Sequence, residues 1–290
     1  ATTNYPNNPV AEPQQVKRSR KRLPLRIESV VTLTRGGRSV DIETTVVNNS
    51  RNHRLRLLLP TGIRARDSHA DVAYDVVARR IKRDHRNPYR DLPELTFNFQ
   101  KFVDLSDGKH GFAFIGNGLR EYEALDDDDR TLAITLFRAC PIRLCTTSYE
   151  TLEDRPGDLG QCLGENRFRY SLLPHAGDWQ APATAAAAER VNYPLLVCEA
   201  GPGQGGSLPL QQGFVELIGD GLGLSGIKKS DRDDSIIIRV FNPTDTAVAG
   251  QLRLMQPVEA AQIVTMNETP VKGGKLKPNG NNVPLSLAPK

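Results

Sequence analysis

Glu121 and Glu123 stand two apart in Gly118-Leu-Arg-Glu-Tyr-Glu123, so on a strand their carboxyls share one face. Glycoside hydrolysis uses two carboxyls, about 5–5.5 Å apart for retention or about 6.5–9.5 Å for inversion. Neighbours on one strand flank a sugar poorly, and a solvent-facing strand beside a core Tyr122 explains the pattern better. His69-Ala70-Asp71 offers an imidazole and a carboxylate of the kind zinc takes, but no further ligand cluster accompanies it, and an ordinary turn fits. Pro174-His175-Ala176-Gly177-Asp178-Trp179 holds the only tryptophan. Trp179 could stack on sugar C–H groups while His175 and Asp178 bond hydroxyls. Equally, the run reads as a corner in which Trp179 packs and Asp178 caps the turn. Asp126 to Asp129 lacks the spaced pattern of a calcium loop and reads as a solvated hairpin tip. No P-loop, dinucleotide fingerprint or G-x-S-x-G elbow is present.

The elements that must carry these residues are strands. Residues 48–63 run from a polar turn into a strand ending at Pro60-Thr61-Gly62. Leu55, Leu57 and Leu59 fall on one face, with Arg54, Arg56 and Leu58 on the other. His53-Arg54-x-Arg56 is an unusual polar cluster for such a position. Alternation over 25–33 and 40–46, joined by Arg35-Gly36-Gly37-Arg38, predicts a β-hairpin. Further strands are predicted at 95–103, 111–116, 119–125, 131–138, 166–173, 213–218, 222–228, 235–241, 247–255 and 261–266. Residues 182–190 are the one good helix-forming stretch. Many strands with Gly and Pro turns predict an all-β fold built of sandwiches. The expected organisation is an arm or linker at 1–24, a large β domain at 25–200 and a smaller sandwich at 207–290. Gly201 to Ser207 supplies the flexible boundary.

Net charge is +4 with acids and bases nearly balanced, which gives no footing for a nucleic-acid partner. The basic run Lys17 to Arg22 reads as a solvated linker. No apolar run approaches the ~20 residues of a membrane helix, so no membrane partner is expected. Four cysteines without metal-ligand spacing are expected to be free and mostly buried, as in a reducing compartment. The expected location is the cytoplasm.

Eight segments then line up in order: His53 to Gly62, Tyr74 to Arg80, Gln100 to Ser106, Gly118 to Glu123, Leu132 to Arg138, Gln161 to Gly164, Leu173 to Trp179, and Ile238 to Pro243. Together they resemble the C-terminal β region of family 38 glycoside hydrolases, the α-mannosidases, in the bacterial branch that includes mannosylglycerate hydrolases. The resemblance implies a galactose-mutarotase-like supersandwich followed by a smaller β-sandwich. It also implies a zinc-dependent retaining enzyme whose metal ligands and nucleophile lie in an N-terminal catalytic domain of the same polypeptide. On this reading both ends of the chain are truncated. Catalytic residues, zinc and any other cofactor are then expected outside this fragment, and His69-Ala70-Asp71 is not a metal site. The partners implied are that catalytic domain and an α-mannoside, with homo-oligomerisation left open. In relatives the large β domain packs on the catalytic domain and can lend a side chain to the sugar site. Arg138, His175, Asp178 and Trp179 are the substrate-side candidates, and His53, Arg54 and Arg56 the domain-interface candidates. An independent carbohydrate-binding module using the Trp179 corner is the rival expectation.

Overall fold

The computed structural model describes residues 20, 22–82, 95–140, 159–180, 183–199, 201 and 205–290. The first unit contains β1 (Arg26–Thr32), β2 (Val40–Asn48), β3 (His53–Leu59), β4 (Asp67–Val72), β5 (Asp75–Arg80) and β6 (Phe97–Asn98). It continues with β7 (Phe102–Ser106), β8 (His110–Asn117), β9 (Glu121–Ala124), β10 (Leu132–Ala139), β11 (Gly164–Ala176) and helix α1 (Ala183–Asn192). A seven-stranded antiparallel sheet, β1-β2-β11-β8-β7-β4-β5, faces a four-stranded one, β3-β10-β9-β6.

Alternation decides which side chains enter the space between the sheets. Val103, Leu105, Phe114 and Tyr170 from the large sheet meet Tyr122, Leu132 and Ile134 from the small one. The other face of the large sheet, carrying Phe102, Ala113, Ile115 and Leu173, is covered by α1 through Ala187 and Ala188. The fold is all-β, and α1 is its one α-helix among the described residues.

Residues 95–103, read from sequence as one strand, are two strands in different sheets. The chain turns between β6 and β7 because the buried Asp71 carboxylate collects three amides there. Its Oδ1 accepts from the N–H groups of Gln100 at 3.2 Å, Lys101 at 2.6 Å and Phe102 at 2.8 Å. His69-Ala70-Asp71 is likewise no turn: it lies within β4, paired on both sides by β5 and β7. The β1–β2 hairpin forms as expected, with Gly36 at φ 76° in its turn.

The polar stretch before β3 is a lock. Asn48 Nδ2 donates to the carbonyls of Gln161 and Cys162, each at 3.0 Å. Gln161 in turn bonds Asn52 through both its amide atoms, accepting from the Asn52 N–H at 2.7 Å and donating to its side-chain oxygen at 2.8 Å. Asn52 sits at φ 56°, a conformation Asn tolerates, and this aims the chain into β3.

The second unit holds β12 (Val215–Ile218), β13 (Gly223–Lys229), β14 (Ile236–Phe241), β15 (Val248–Leu254), β16 (Ala261–Val264), β17 (Pro270–Leu276) and β18 (Asn282–Leu287). They form three small antiparallel sheets, β12-β15-β18, β13-β14 and β16-β17. This unit meets the first at the β4–β5 hairpin tip. The Tyr74 ring stands edge-on to Phe241 with centroids 5.8 Å apart, and Arg239 donates to its hydroxyl at 3.4 Å. Lys290 Nζ donates to the Val76 carbonyl at 2.7 Å and pairs with Asp75 at 3.0 Å.

Candidate functional site

Two polar clusters occupy the outer faces of the sandwich, one on each sheet. The first lies on the four-stranded sheet. Register places Arg54 opposite Arg138 and Arg56 opposite Thr135, with a bulge between Thr135 and Phe137. Across β10, Glu123 stands opposite Ala133. The side chains close into a ladder. Arg138 grips the Glu121 carboxylate with two nitrogens, Nη2 at 2.8 Å and Nε at 3.0 Å from Oε2. Arg54 Nη2 reaches the other oxygen at 2.7 Å, and its Nε donates to Thr135 Oγ1 at 2.9 Å. The Thr135 hydroxyl in turn donates to Glu121 Oε1, and Arg56 pairs with Glu123.

Burial alone would push the Glu121 carboxyl up. The hydrogen bonds from Thr135 and Arg138 and the Arg54 and Arg138 charges more than offset it, so it titrates below its ordinary value. Glu121 is therefore an anchored anion, and both glutamates are occupied by arginines rather than poised as an acid–nucleophile pair. Half of the Arg138 side chain stays open to solvent, against about a quarter of Arg54.

The second cluster lies on the helix-covered face of the seven-stranded sheet. His175 on β11 and Asp104 on β7 are separated by β8, yet His175 Nε2 and Asp104 Oδ2 are 2.6 Å apart. The bond is made by crossing over Gly111, which stands directly opposite His175 in register. A Cβ on Gly111 would sit 2.1 Å from His175 Cε1, so only glycine admits the ring. His175 Nδ1 lies 3.2 Å from the Ala176 carbonyl, which can only accept, so Nδ1 carries a proton. The Asp104 bond raises the His175 pKa above its ordinary 6.5 and favours the imidazolium. Burial pushes the Asp104 carboxyl up, with the His175 interaction opposing it.

His69 faces Asp104 across the β4–β7 pairing. Its Nδ1 and Asp104 Oδ1 are buried without hydrogen-bond partners. Burial lowers the His69 pKa.

The candidates from sequence thus separate. Arg54, Arg56 and Arg138 come together with Glu121 and Glu123. His53, on the opposite face of β3, is an interior residue with its ring edge-on to Phe137 at 5.4 Å. His175 is sealed, its side chain 5% exposed. Trp179 is 7% exposed and packs with Ala187 and Ala188 of α1, the arrangement of the corner reading. Asp178 is exposed and accepts from the Gln180 N–H at 3.0 Å, as a turn cap does. Asp104 and Gly111 were not singled out from sequence. The available signal was a carboxylate inside the apolar run Phe102-Val-Asp-Leu105. Cys140, Cys162 and Cys198 are free as expected, but Cys140 and Cys198 are exposed rather than buried; Cys145 lies outside the described residues. Among the described residues no three His, Cys, Asp or Glu side chains are placed to hold a metal ion.

Comparison with known proteins agrees with this architecture. The family model described as "Glycosyl hydrolases family 38 C-terminal domain" matches residues 10–141. A second, "Glycosyl hydrolases family 38 C-terminal beta sandwich domain", matches residues 221–290. The chain is 30% identical over 229 residues to a putative mannosylglycerate hydrolase of Halalkalibacterium halodurans, covering 78% of this chain and 24% of that protein. It is 23% identical to α-mannosidase 2C1 of Mus musculus, covering 91% of this chain and 24% of that one. The crystal structure of an α-mannosidase from Enterococcus faecalis superposes with a TM-score of 0.76 at 26% identity, covering 93% of this chain and 30% of that one. The chain spans about a quarter of the length of these curated relatives.

Proposed function

Because the chain belongs to glycoside hydrolase family 38, of which it carries the C-terminal domains, we propose that it is the β-rich part of an α-mannosidase-type hydrolase. In this reading it is inactive alone, and it supports and partly shapes the active site formed by a catalytic domain of the same polypeptide. The observation that carries it is the pairing of two family matches along this chain with coverage of only 24% of the relatives. Zinc would belong to that catalytic domain. No set of side chains described here suits it, and no step is routed through a metal.

Arg138 is the residue proposed to reach substrate. Its guanidinium is fixed by two bonds to Glu121 yet half exposed. It therefore presents a pre-oriented cation and N–H donors to sugar hydroxyls or a carboxylate without first being ordered. The test uses the intact polypeptide with an aryl α-mannoside and with mannosylglycerate. Hydrolysis of either supports the reading, and Arg138→Ala should lower kcat/KM about tenfold, the loss of one charge-assisted hydrogen bond. An intact polypeptide inert towards every α-mannoside offered, or a 290-residue chain that hydrolyses one by itself, refutes it.

A further inference from the structure

Helix α1 ends where Pro194 removes an amide, and the chain leaves the sheet as Tyr193-Pro-Leu-Leu-Val-Cys198. Residues 194–199 belong to no helix or strand. Leu195 is 97% exposed, Leu196 94% and Val197 99%. Single exposed apolar residues are ordinary, but three fully exposed branched side chains in succession mark a surface that something covers. Leu208, Leu210 and Phe214 continue the apolar exposure beyond.

From this we infer that residues 193–198 form a docking strap for the catalytic part of the same polypeptide. The inference rests on the functional reading above. Three observations choose this occupant. The chain spans about a quarter of its curated relatives, so on that reading most of the polypeptide lies outside it. Residues 191–198 carry no charged side chain, the chemistry of a permanent interface rather than a transient one. And α1, which launches the strap, lies on the outer face of the large sheet, turned away from the core between the sheets. The helix is held at its end by Asn117, whose amide donates to the Val191 carbonyl at 3.2 Å. The strap is therefore anchored at its root while its side chains project outward.

Cys198 ends the strap and is exposed and free, which makes it a reporter. Iodoacetamide alkylation is followed at the Cys198 peptide by mass spectrometry, in the 290-residue chain and in the intact polypeptide. Alkylation should be at least tenfold slower in the intact polypeptide, and Leu196→Asp should restore the fast rate there. Leu196 touches little in the chain itself, so circular dichroism of the isolated variant should be unchanged. Equal rates in the two proteins overturn the inference. So does protection in the isolated chain accompanied by a dimer mass, which makes a second copy the occupant. Aryl α-mannoside hydrolysis on the same samples separates the two proposals. An active polypeptide with a fast Cys198 sinks the strap alone, and a protected Cys198 without hydrolysis supports the strap while the substrate reading falls.

Discussion

Gly111→Ala should unlatch His175 from Asp104 without touching either residue. The added Cβ would lie 2.1 Å from His175 Cε1 and 2.6 Å from both ring nitrogens, far inside van der Waals contact, and the clash is with a ring rather than the tip of a flexible chain. The imidazole must leave, and Asp104, wholly buried and already with one oxygen unpartnered, loses its only hydrogen bond among the described residues. Breaking one side of a buried pair costs about 3–5 kcal/mol, while Gly to Ala in a strand returns roughly 0.5–1 kcal/mol, leaving a net loss of about 2–4 kcal/mol. At a urea m-value near the upper end of the usual range, about 3 kcal/mol/M for a chain of this size, the midpoint should fall by roughly 0.7–1.3 M. Urea unfolding followed by Trp179 fluorescence suits the assay, because the indole is packed on the same sheet face. The decisive experiment is the cycle with His175→Ala. Once the ring is gone the new methyl has space, so Gly111→Ala should cost close to nothing in that background. Additive losses would falsify the account of Gly111 as the passage for the ring.

The pH dependence follows from the same pair. His175 has a raised pKa when folded, so its contribution is fully present below pH 6.5 and is lost as pH climbs through the raised value. The stability difference between the natural chain and His175→Ala should therefore shrink on the alkaline side; a gap that widens there rejects the imidazolium assignment. Glu121 behaves oppositely: its depressed pKa gives stability present above 4.5 and lost as pH falls through the folded value. Glu121→Gln should flatten the acid limb of the stability profile and cost roughly 0.5–1.5 kcal/mol at pH 7, discounted for partial exposure. At the junction of the two units, a Tyr74→Ala/Phe241→Ala cycle should give a coupling of about 0.5–1.5 kcal/mol in the unfolding free energy. No coupling there means the rings meet without stabilising the junction.

Alternation made most of the sandwich legible. The Leu55, Leu57, Leu59 face of β3 packs towards the core region as its period of two requires. The failures have particular causes. β4 was missed because its outward positions are His69 and Asp71, and its interior ones Ser68 and Ala70 are small, so no apolar period marks it. The break between β6 and β7 was invisible because the carboxylate holding the corner is about thirty residues upstream in sequence. β17 and β18 are rich in Lys, Gly, Asn and Pro and carry few buried side chains. The Trp179 run admitted two readings because the element that decides between them, α1, lies farther along the chain and covers the indole only in three dimensions.

Exposure ranks the two polar clusters for function. Asp104 and His175 are spent on each other, with side chains 0% and 5% exposed, and the pair offers no open surface to a substrate. The Arg138–Glu121 ladder lies partly open, with Glu121 held as the anion and its arginines already aimed. Electrostatic recognition needs that combination, since ordering costs are met by the fold before ligand arrives. The consequence is a separation measurable in one protein. In the intact polypeptide, His175→Ala should lower the unfolding midpoint and leave kcat/KM of the surviving folded fraction near its natural value. Arg138→Ala should leave the midpoint nearly unchanged and lower kcat/KM about tenfold. The reverse pattern would place the substrate-facing surface on the seven-stranded sheet and reduce the arginine ladder to a surface brace.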